Sequence, residues 1–203
     1  MSDEIIASIP DIYIVFEGKQ INLIEKIYEL RNRRNDIGEI LNENKIVEED
    51  EYTILSKESN DFYIKFKSGY LYCVYSLGKI NSSHISFWFE YKHPDIELAS
   101  ILESEYIKFA IDLYEIFNSL FIRTAWSIED GTGVISKSEL KLKSFKQFHW
   151  IQIISRDVSN FEKVDEITLD PRIEKKYFND GESVFIMLKE FTGDFLIELE
   201  NKL

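Results

Sequence analysis

The feature of this sequence that most constrains its fold is a succession of three short segments in which apolar or aromatic residues alternate with other residues. The three alternating sets are Phe62, Ile64 and Phe66, then Leu71, Cys73 and Tyr75, then Ile85, Phe87, Phe89 and Tyr91. A period of two residues is typical of a strand that buries one face. Ser68-Gly69 gives a tight connection between the first two segments, and residues 78–83 give a looser one between the last two. The sequence therefore predicts an antiparallel meander of three strands.

Two longer segments repeat apolar residues at the three- and four-residue spacing of an amphipathic helix. The first begins near Ile21 and ends at a group of arginines, where positive charge complements the negative pole of a helix. The second covers residues 97–120, and its apolar stripe is wide enough to cover one face of the meander. A shorter repeat over residues 194–203 predicts a closing helix.

Further strands are predicted on both sides of the meander, over residues 11–16, 121–128 and 148–154. Residues 184–188 fit either a buried strand or the start of a helix. The chain has only three prolines and eight glycines, and no Pro-rich or Ser/Gly-rich stretch marks a linker. We therefore predict a single α+β domain over residues 1–203, in which an antiparallel sheet packs against a few helices.

The compartment is indicated by the cysteine content and by the N-terminal residues. Cys73 is the one cysteine of the chain and lies in an aromatic run, which excludes an intramolecular disulfide and is typical of a reducing compartment. Met1 is followed by Ser-Asp-Glu rather than by the basic and apolar regions of an export signal. No apolar run approaches the ~20 residues that cross a bilayer. We expect a soluble, cytoplasmic protein that does not bind membranes.

The chain is strongly acidic, with 37 acids against 24 bases and a formal net charge of −13. Such a charge opposes binding to nucleic acid and to anionic lipid, and it favours a basic partner protein. Acidity also serves simply to keep an aromatic-rich protein in solution. Residues 36–61 hold nine acids and two bases, about half of the net charge. We expect this segment to form an exposed helix extension or a loop that leads into a short strand.

No motif typical of a catalytic, cofactor or metal site is present. The histidines, His84, His93 and His149, are far apart and form no metal-ligand pair. The Gly-Thr-Gly at residues 131–133 lacks the rest of a phosphate loop and predicts a turn. We predict no catalytic residue, no cofactor and no metal. His149, beside Trp150 at the start of a strand, remains a candidate for contacting a partner or handling a proton.

Aromatic residues are abundant, with 15 Phe, 11 Tyr and 3 Trp. Several fall on strands whose other face already supplies a core, so we expect some of them at the surface, where aromatic side chains anchor protein interfaces. Together with the acidic segment they give the predicted partner-binding residues: Glu43, Glu48, Glu49, Asp50, Glu51, Trp88, Tyr91 and Trp150.

The segment FHWIQIIS at residues 148–155 follows an early helix, an aromatic meander and one long helix. This order of elements, and above all the stretch from Trp150 to Ser155, resembles immunity proteins of bacterial polymorphic toxin systems over the second half of the chain. The resemblance implies a small cytosolic protein without catalysis that binds one cognate toxin and blocks its active site. Against a basic nuclease, acids such as those at residues 43–51 would occupy the groove meant for nucleic acid.

Two other functions remain open from the sequence. The first is a small cytosolic enzyme whose hydrolytic site uses carboxylates, with His93 or His149 as helper, and which is not recognisable by motif. The second is a structural or regulatory subunit, which differs from the inhibitor only in its partner. The sequence does not indicate the oligomeric state.

Overall fold

A computed structural model describes residues 5–6, 10–16, 23–42, 62–66, 71–77, 84–91, 101–125, 148–157, 164–166, 168–190 and 192–201. Within these residues the chain forms eleven strands and three α-helices of eight or more residues, with short helical turns at residues 164–166 and at Asn179–Gly181. In chain order they are β1 (Ile5–Ile6), β2 (Asp11–Phe16), α1 (Leu23–Arg33), β3 (Ile37–Asn42), β4 (Phe62–Phe66), β5 (Leu71–Leu77), β6 (His84–Tyr91), β7 (Ile101–Leu102), α2 (Glu103–Ile116), β8 (Ser119–Ala125), β9 (Ile151–Ser155), β10 (Ile173–Phe178), β11 (Ser183–Leu188) and α3 (Gly193–Glu200).

Nine of these strands form one sheet in the order β10-β11-β9-β8-β2-β6-β5-β4-β3, and every neighbouring pair is antiparallel. The short strands β1 and β7 pair separately. The predicted meander is confirmed as β4, β5 and β6, because each pairs with the next along the chain. The sheet and its helices confirm the α+β class. The predicted extent of the domain, residues 1–203, reaches beyond the described residues and stays a prediction.

Helices α1 and α2 cover one face of the sheet, which we call the first face. Phe87 of β6 meets Phe109 and Phe117 edge-on, with ring centroids 6.1 and 6.2 Å apart. All three are buried, as are Ile12 and Ile122 from neighbouring strands. A fully buried side chain of this size contributes about 1.5–3 kcal/mol. The buried cluster on the first face is the larger of the two clusters in the described core.

The opposite, second face carries the residues that alternate with those of the first, because successive residues of a strand point to opposite sides. Its core includes Phe121, Ile154 and Ile186 from three strands, together with Phe195 and Leu199 from α3. Helix α3 thus covers the second face near β9, β11 and β10.

The edge strand β10 is positioned by a tight hairpin that the sequence analysis did not predict. Asp180 and Gly181 have φ angles of 54° and 86°, and the Glu182 N–H donates to the Asn179 carbonyl at 2.9 Å. Positive φ at both central residues is typical of a type I′ turn, for which Asp-Gly is a preferred pair. The Arg156 guanidinium also donates to the Gly181 carbonyl at 3.0 Å, which ties the turn to the end of β9.

Several sequence predictions need correction in their boundaries. The acidic segment 36–61 was expected as a helix extension or loop, but β3 lies within it and pairs with β4. The helix predicted over residues 97–120 is shorter, since α2 covers only Glu103–Ile116. It ends because Asn118 adopts a φ of 47°, the left-handed conformation that stops a helix. Residues 184–188 form a strand, because β9 and β10 pair with β11 on its two sides.

Candidate partner-binding surface

The five predicted acidic binding residues, Glu43, Glu48, Glu49, Asp50 and Glu51, lie outside the described residues. Asn42, which immediately precedes this segment, is the last residue of β3. Because β3 is the outermost strand at one end of the sheet, the acidic segment begins at a sheet edge. His93 and residues 131–133, which the sequence analysis also considered, lie outside the described residues as well.

Trp88 and Tyr91 both lie on β6, where they pair with Val74 and Leu71 of β5. The two positions are three residues apart, and faces alternate along a strand, so the positions belong to opposite faces of the sheet. The fold therefore does not bring Trp88 and Tyr91 together on one face. Their role in partner binding stays a prediction.

Trp150 immediately precedes β9 and is half-buried against the first-face core. Its ring stacks on that of Tyr106 from α2, with the centroids 5.5 Å apart and the planes 22° from parallel. The Tyr106 hydroxyl donates to the Pro10 carbonyl at 2.7 Å, which fixes the ring that Trp150 contacts. Trp150 thus contributes to packing between sheet and helix, and contact with a partner through its remaining surface stays a prediction.

His149 is buried, with 6% of its surface exposed. Burial and the nearby Arg123 charge lower the pKa of His149 to about 3. The imidazole is therefore neutral at pH 7, and a partner on the protein surface does not reach it. Efficient proton transfer needs a pKa near the working pH and access to the reacting group, and His149 has neither.

A row of polar residues crosses the sheet next to His149. Tyr13 on β2 pairs with Arg123 on β8, which pairs with Gln152 on β9. Arg123 is 2% exposed, and its guanidinium lies 5.0 Å from the centroid of the Tyr13 ring. Burial lowers the pKa of Arg123. Gln152 is 0% exposed, and its side-chain oxygen and nitrogen have no hydrogen-bond partner among the residues that the structure describes.

Exposed large apolar side chains concentrate in the C-terminal part of the described chain. They are Leu169, Tyr177 and Ile197, with Tyr28 on α1 as the fourth in the parts that the structure describes. Leu169 is 79% exposed and Ile197 is 59% exposed. Single exposed apolar residues are ordinary, whereas a group of them marks an interaction surface.

Ile197 lies on the outer side of α3. Phe195 and Leu199 point into the core, while Asp194, Ile197 and Glu198 are exposed, as expected for residues spaced three and four apart on a helix. The Thr192 hydroxyl accepts from the Phe195 N–H at 3.3 Å and so caps the N-terminus of α3. The outer side of this helix therefore presents one apolar residue between two carboxylates.

Arg172 connects α3 to the turn that carries Leu169. Its guanidinium donates to Asp170 Oδ2 at 2.7 Å and to both Glu198 carboxylate oxygens at 3.0 Å. It also lies 3.9 Å from the centroid of the Phe195 ring. We call the outer side of α3, with its exposed residues Asp194, Ile197 and Glu198, the C-terminal patch.

A second polar group joins β10 to the helical residues 164–166. Lys175 Nζ donates to Asp165 Oδ1 at 2.6 Å, and the Tyr177 hydroxyl donates to the same carboxylate. These two hydrogen bonds lower the pKa of Asp165. Burial and the Asp165 carboxylate raise the pKa of Tyr177 to about 12. The Tyr177 hydroxyl is therefore a hydrogen-bond donor to Asp165 at neutral pH.

Two segments of the chain are strongly acidic. Residues 36–61 have a net charge of −7, and residues 164–201 have ten acids against four bases, a net of −6. Residues 90–115 have a further net charge of −5, with seven acids and two bases, and the remaining parts of the chain are basic enough to offset it. The first segment contains β3 and the second contains β10, the two outermost strands of the sheet. Eight strand spacings of ~4.8 Å place these edges about 38 Å apart.

The sequence analysis missed the C-terminal patch and the buried polar row. A helical projection of residues 194–203 already separates Ile197 from the inward residues, and that signal was present. Leu169 lies in the turn segment Thr-Leu-Asp-Pro, which carries no periodicity that marks it as exposed. Arg123 and Gln152 lie 29 positions apart in the sequence, and strand pairing alone makes them neighbours.

Within the described residues no His, Cys, Asp and Glu side chains form a group of three or more that could hold a metal ion. Among the helices of the same residues, none has the length and apolar character needed to cross a membrane. Comparisons with protein-family models, with curated proteins and with solved structures find no match to this chain.

Proposed function

We propose that this protein is a non-enzymatic, cytoplasmic inhibitor of the immunity type, which neutralises a basic, nuclease-like toxin by covering its active site. The observation that supports this proposal is the distribution of charge. The segments that contain β3 and β10, the strands at the two ends of the sheet in the described residues, are strongly acidic, with net charges of −7 and −6.

A charge distribution of this kind has a physical use in recognising a basic protein. Concentrated charge of one sign raises the rate of encounter with an oppositely charged surface more than the same charge spread evenly.

The test is co-expression with the protein encoded by the adjacent upstream gene. If that protein is the cognate toxin, we expect it to arrest growth when expressed alone, and co-expression with the present chain to restore growth. The two proteins should copurify, and their association rate should fall steeply with ionic strength. Absence of both a complex and protection would contradict the proposal.

A matched pair of double variants tests whether the rate of association depends on the location of the acidic residues or only on the total charge. Glu48→Lys with Glu49→Lys changes two charges in the predicted acidic segment. Glu25→Lys with Glu105→Lys makes the same change at exposed positions on α1 and α2, outside both acidic segments. We expect the first pair to slow association about tenfold and the second by less than about threefold. Equal slowing by both pairs would mean that only total charge matters.

A further inference from the structure

We propose that the outer edge of β10 is a dimerisation surface, on which β10 of a second copy of this chain pairs antiparallel about a two-fold axis at Lys175. Strand β10 is the outermost strand at one end of the described sheet. In the dimer the sheets of the two copies become one continuous sheet. This inference concerns self-association and goes beyond the proposed inhibitor function, because it holds for the chain without a toxin.

The first argument is that β10 has main-chain groups without partners. The Lys189 N–H donates to the Arg172 carbonyl at 2.8 Å, next to the last pair of the ladder between β10 and β11. Main-chain direction alternates along a strand, so Glu174 and Lys176 also bond towards β11, while Lys175 points outward. The main-chain N–H and carbonyl of Lys175 have no hydrogen bond in the part of the chain that the structure describes. A further strand can therefore pair with them.

The second argument is the regularity of this edge. Strands β10 and β11 pair over six consecutive residues without a register shift, and β10 contains no proline. The strand at the other end of the described sheet, β3, has a register shift between Ile37 and Glu39. Bulges and prolines are common protections of an edge strand against pairing. Strand β10 has neither, so its charged side chains decide which strand can join it.

The third argument is that the charges of β10 are complementary to themselves. Glu174 and Lys176 are exposed, and within the described residues neither side chain makes an ion pair or a hydrogen bond. They lie two residues apart and so share one face of the sheet. A two-fold axis at Lys175 puts Glu174 of each copy directly opposite Lys176 of the other. Opposite charges at directly opposite positions of an antiparallel pair stabilise it.

The neighbouring registers are disfavoured by charge. Residues that bond outward must face residues that bond outward, so the axis can also lie at Glu174 or at Lys176. These registers place two glutamates or two lysines directly opposite each other, which is destabilising. The axis at Lys175 also brings two lysines together, but each Nζ already donates to Asp165 Oδ1 at 2.6 Å in its own copy. The charges of the strand therefore select the register at Lys175.

The other face of β10 supports the same register. Tyr177 is 37% exposed, and Ile173 lies on the same face because the two positions are four residues apart. With the axis at Lys175, the Tyr177 ring lies opposite Ile173 of the second copy. Pairs of an aromatic and a β-branched residue are favourable between neighbouring strands.

The second copy fits this edge better than an unrelated strand. An apolar strand would leave Glu174 and Lys176 partly desolvated without partners, which costs free energy. A second copy supplies both partners at once, and a two-fold axis repeats every contact. One strand edge is a small interface, and each copy has a net charge of −13. We therefore expect a weak dimer that forms as the protein concentration rises.

Sedimentation velocity of the full chain, from the low micromolar to the millimolar range, tests for the dimer. We expect the mass to rise from that of one chain towards that of two. Hydrogen exchange then locates the contact, because the Lys175 amide should exchange rapidly in dilute protein and more slowly in concentrated protein. The Glu174 and Lys176 amides, which bond to β11, should be protected at both concentrations. A chain that stays monomeric, or a dimer in which the Lys175 amide gains no protection, would overturn the inference.

Charge variants test the register. Glu174→Lys puts two lysines opposite each other in both pairs, so we expect dimerisation to weaken about tenfold. Glu174→Lys with Lys176→Glu exchanges the charges and restores both pairs, and its affinity should return to within about threefold of that of the natural chain. Glu25→Lys makes the first charge change at an exposed position on α1 and should alter the affinity less than about twofold. Equal affinities of the single and the double variant, or an equal effect of Glu25→Lys, would contradict the proposed pairing.

Discussion

The two faces of the sheet each bury an arginine, and the groups that surround the two arginines differ. Arg34, 4% exposed, follows α1 and donates to Asp36, to Asp112 at 3.0 Å and to the Glu105 carbonyl at 3.3 Å. Arg123, on the second face, lies over the Tyr13 ring in the row that contains Gln152, beside the neutral His149.

The difference separates buried polar groups that are compensated by partners from buried polar groups that lower the stability of the folded chain. Arg34 joins the end of α1, the start of β3 and helix α2 through two carboxylates, so its burial is compensated. The second face instead buries an imidazole that must stay neutral and an amide without a hydrogen-bond partner in the described residues. We therefore expect mutations to have opposite consequences on the two faces.

The largest expected effect is on the first face. Replacing Arg34 by Met removes the shared partner of Asp36 and Asp112, which remain largely or partly buried as unpaired carboxylates. Breaking a buried ion pair from one side costs about 3–5 kcal/mol, and we expect a loss of that order in the free energy of unfolding. Urea denaturation followed by circular dichroism measures it.

The neighbouring Arg33 is the matched control. It also makes two ion pairs, with Glu29 and Glu115, but all three side chains are substantially exposed. Exposed pairs contribute about 0–1 kcal/mol, so Arg33→Met should cost no more than that. Similar losses for the two variants would mean that Arg34 is not a compensated buried charge and that the contrast between the faces is wrong.

The next largest expected effect is the pH dependence of the free energy of unfolding that the buried His149 causes. The folded-state pKa of His149 is about 3, below the ordinary value of 6.5. Between these values the unfolded chain binds a proton that the folded chain does not, so stability falls as the pH falls. The slope is about 1.4 kcal/mol per pH unit, and we expect a loss of about 2 to 3 kcal/mol between pH 6 and pH 4.

The measurement is the free energy of unfolding at several pH values for the natural chain and for His149→Gln. The variant should lose most of the slope between pH 6 and pH 4, whatever its stability at pH 7. An unchanged slope would mean that another group causes the pH dependence, and that His149 is not a buried neutral imidazole.

The buried amide of Gln152 gives the third prediction, in which the mutation is expected to stabilise the folded chain. Gln152 is fully buried without hydrogen bonds in the described residues, and an uncompensated buried polar group costs about 1–3 kcal/mol. We expect Gln152→Leu, which is similar in size, to raise the free energy of unfolding by about 1–2 kcal/mol. Destabilisation instead would mean that the amide is satisfied in solution, for example by a buried water, and that the second face is as well compensated as the first.

The strands predicted from sequence and those missed differ in a physical way. The meander β4–β6 was predicted because interior strands alternate strongly between aromatic and other residues. The outermost strands, β3 and β10, were missed. An edge strand pairs on one side only and is commonly protected by charges, so its apolar pattern is weak. Glu174, Lys175 and Lys176 in the middle of β10 are an example.

The candidate surface was predictable only in its chemistry. Acidity and a basic partner follow from composition, because charge needs no knowledge of the fold. The position of the patch does not, since Arg172 and Glu198, whose contact joins the turn that carries Leu169 to α3, are 26 residues apart. Likewise Arg34 and Asp112 are 78 residues apart, and no local pattern links them.

The smallest expected effect connects the second face to the C-terminal patch. Thr192→Ala removes the cap of α3, which costs about 1 kcal/mol, whereas Thr192→Ser keeps the hydroxyl and should cost much less. Hydrogen exchange should show faster exchange at residues 195–199 in the Ala variant, while α2 is unchanged. The hydroxyl group is the difference between the two variants that bears on the cap. Equal exchange rates at residues 195–199 in the Ala and Ser variants would therefore mean that the Thr192 side chain does not stabilise the start of α3.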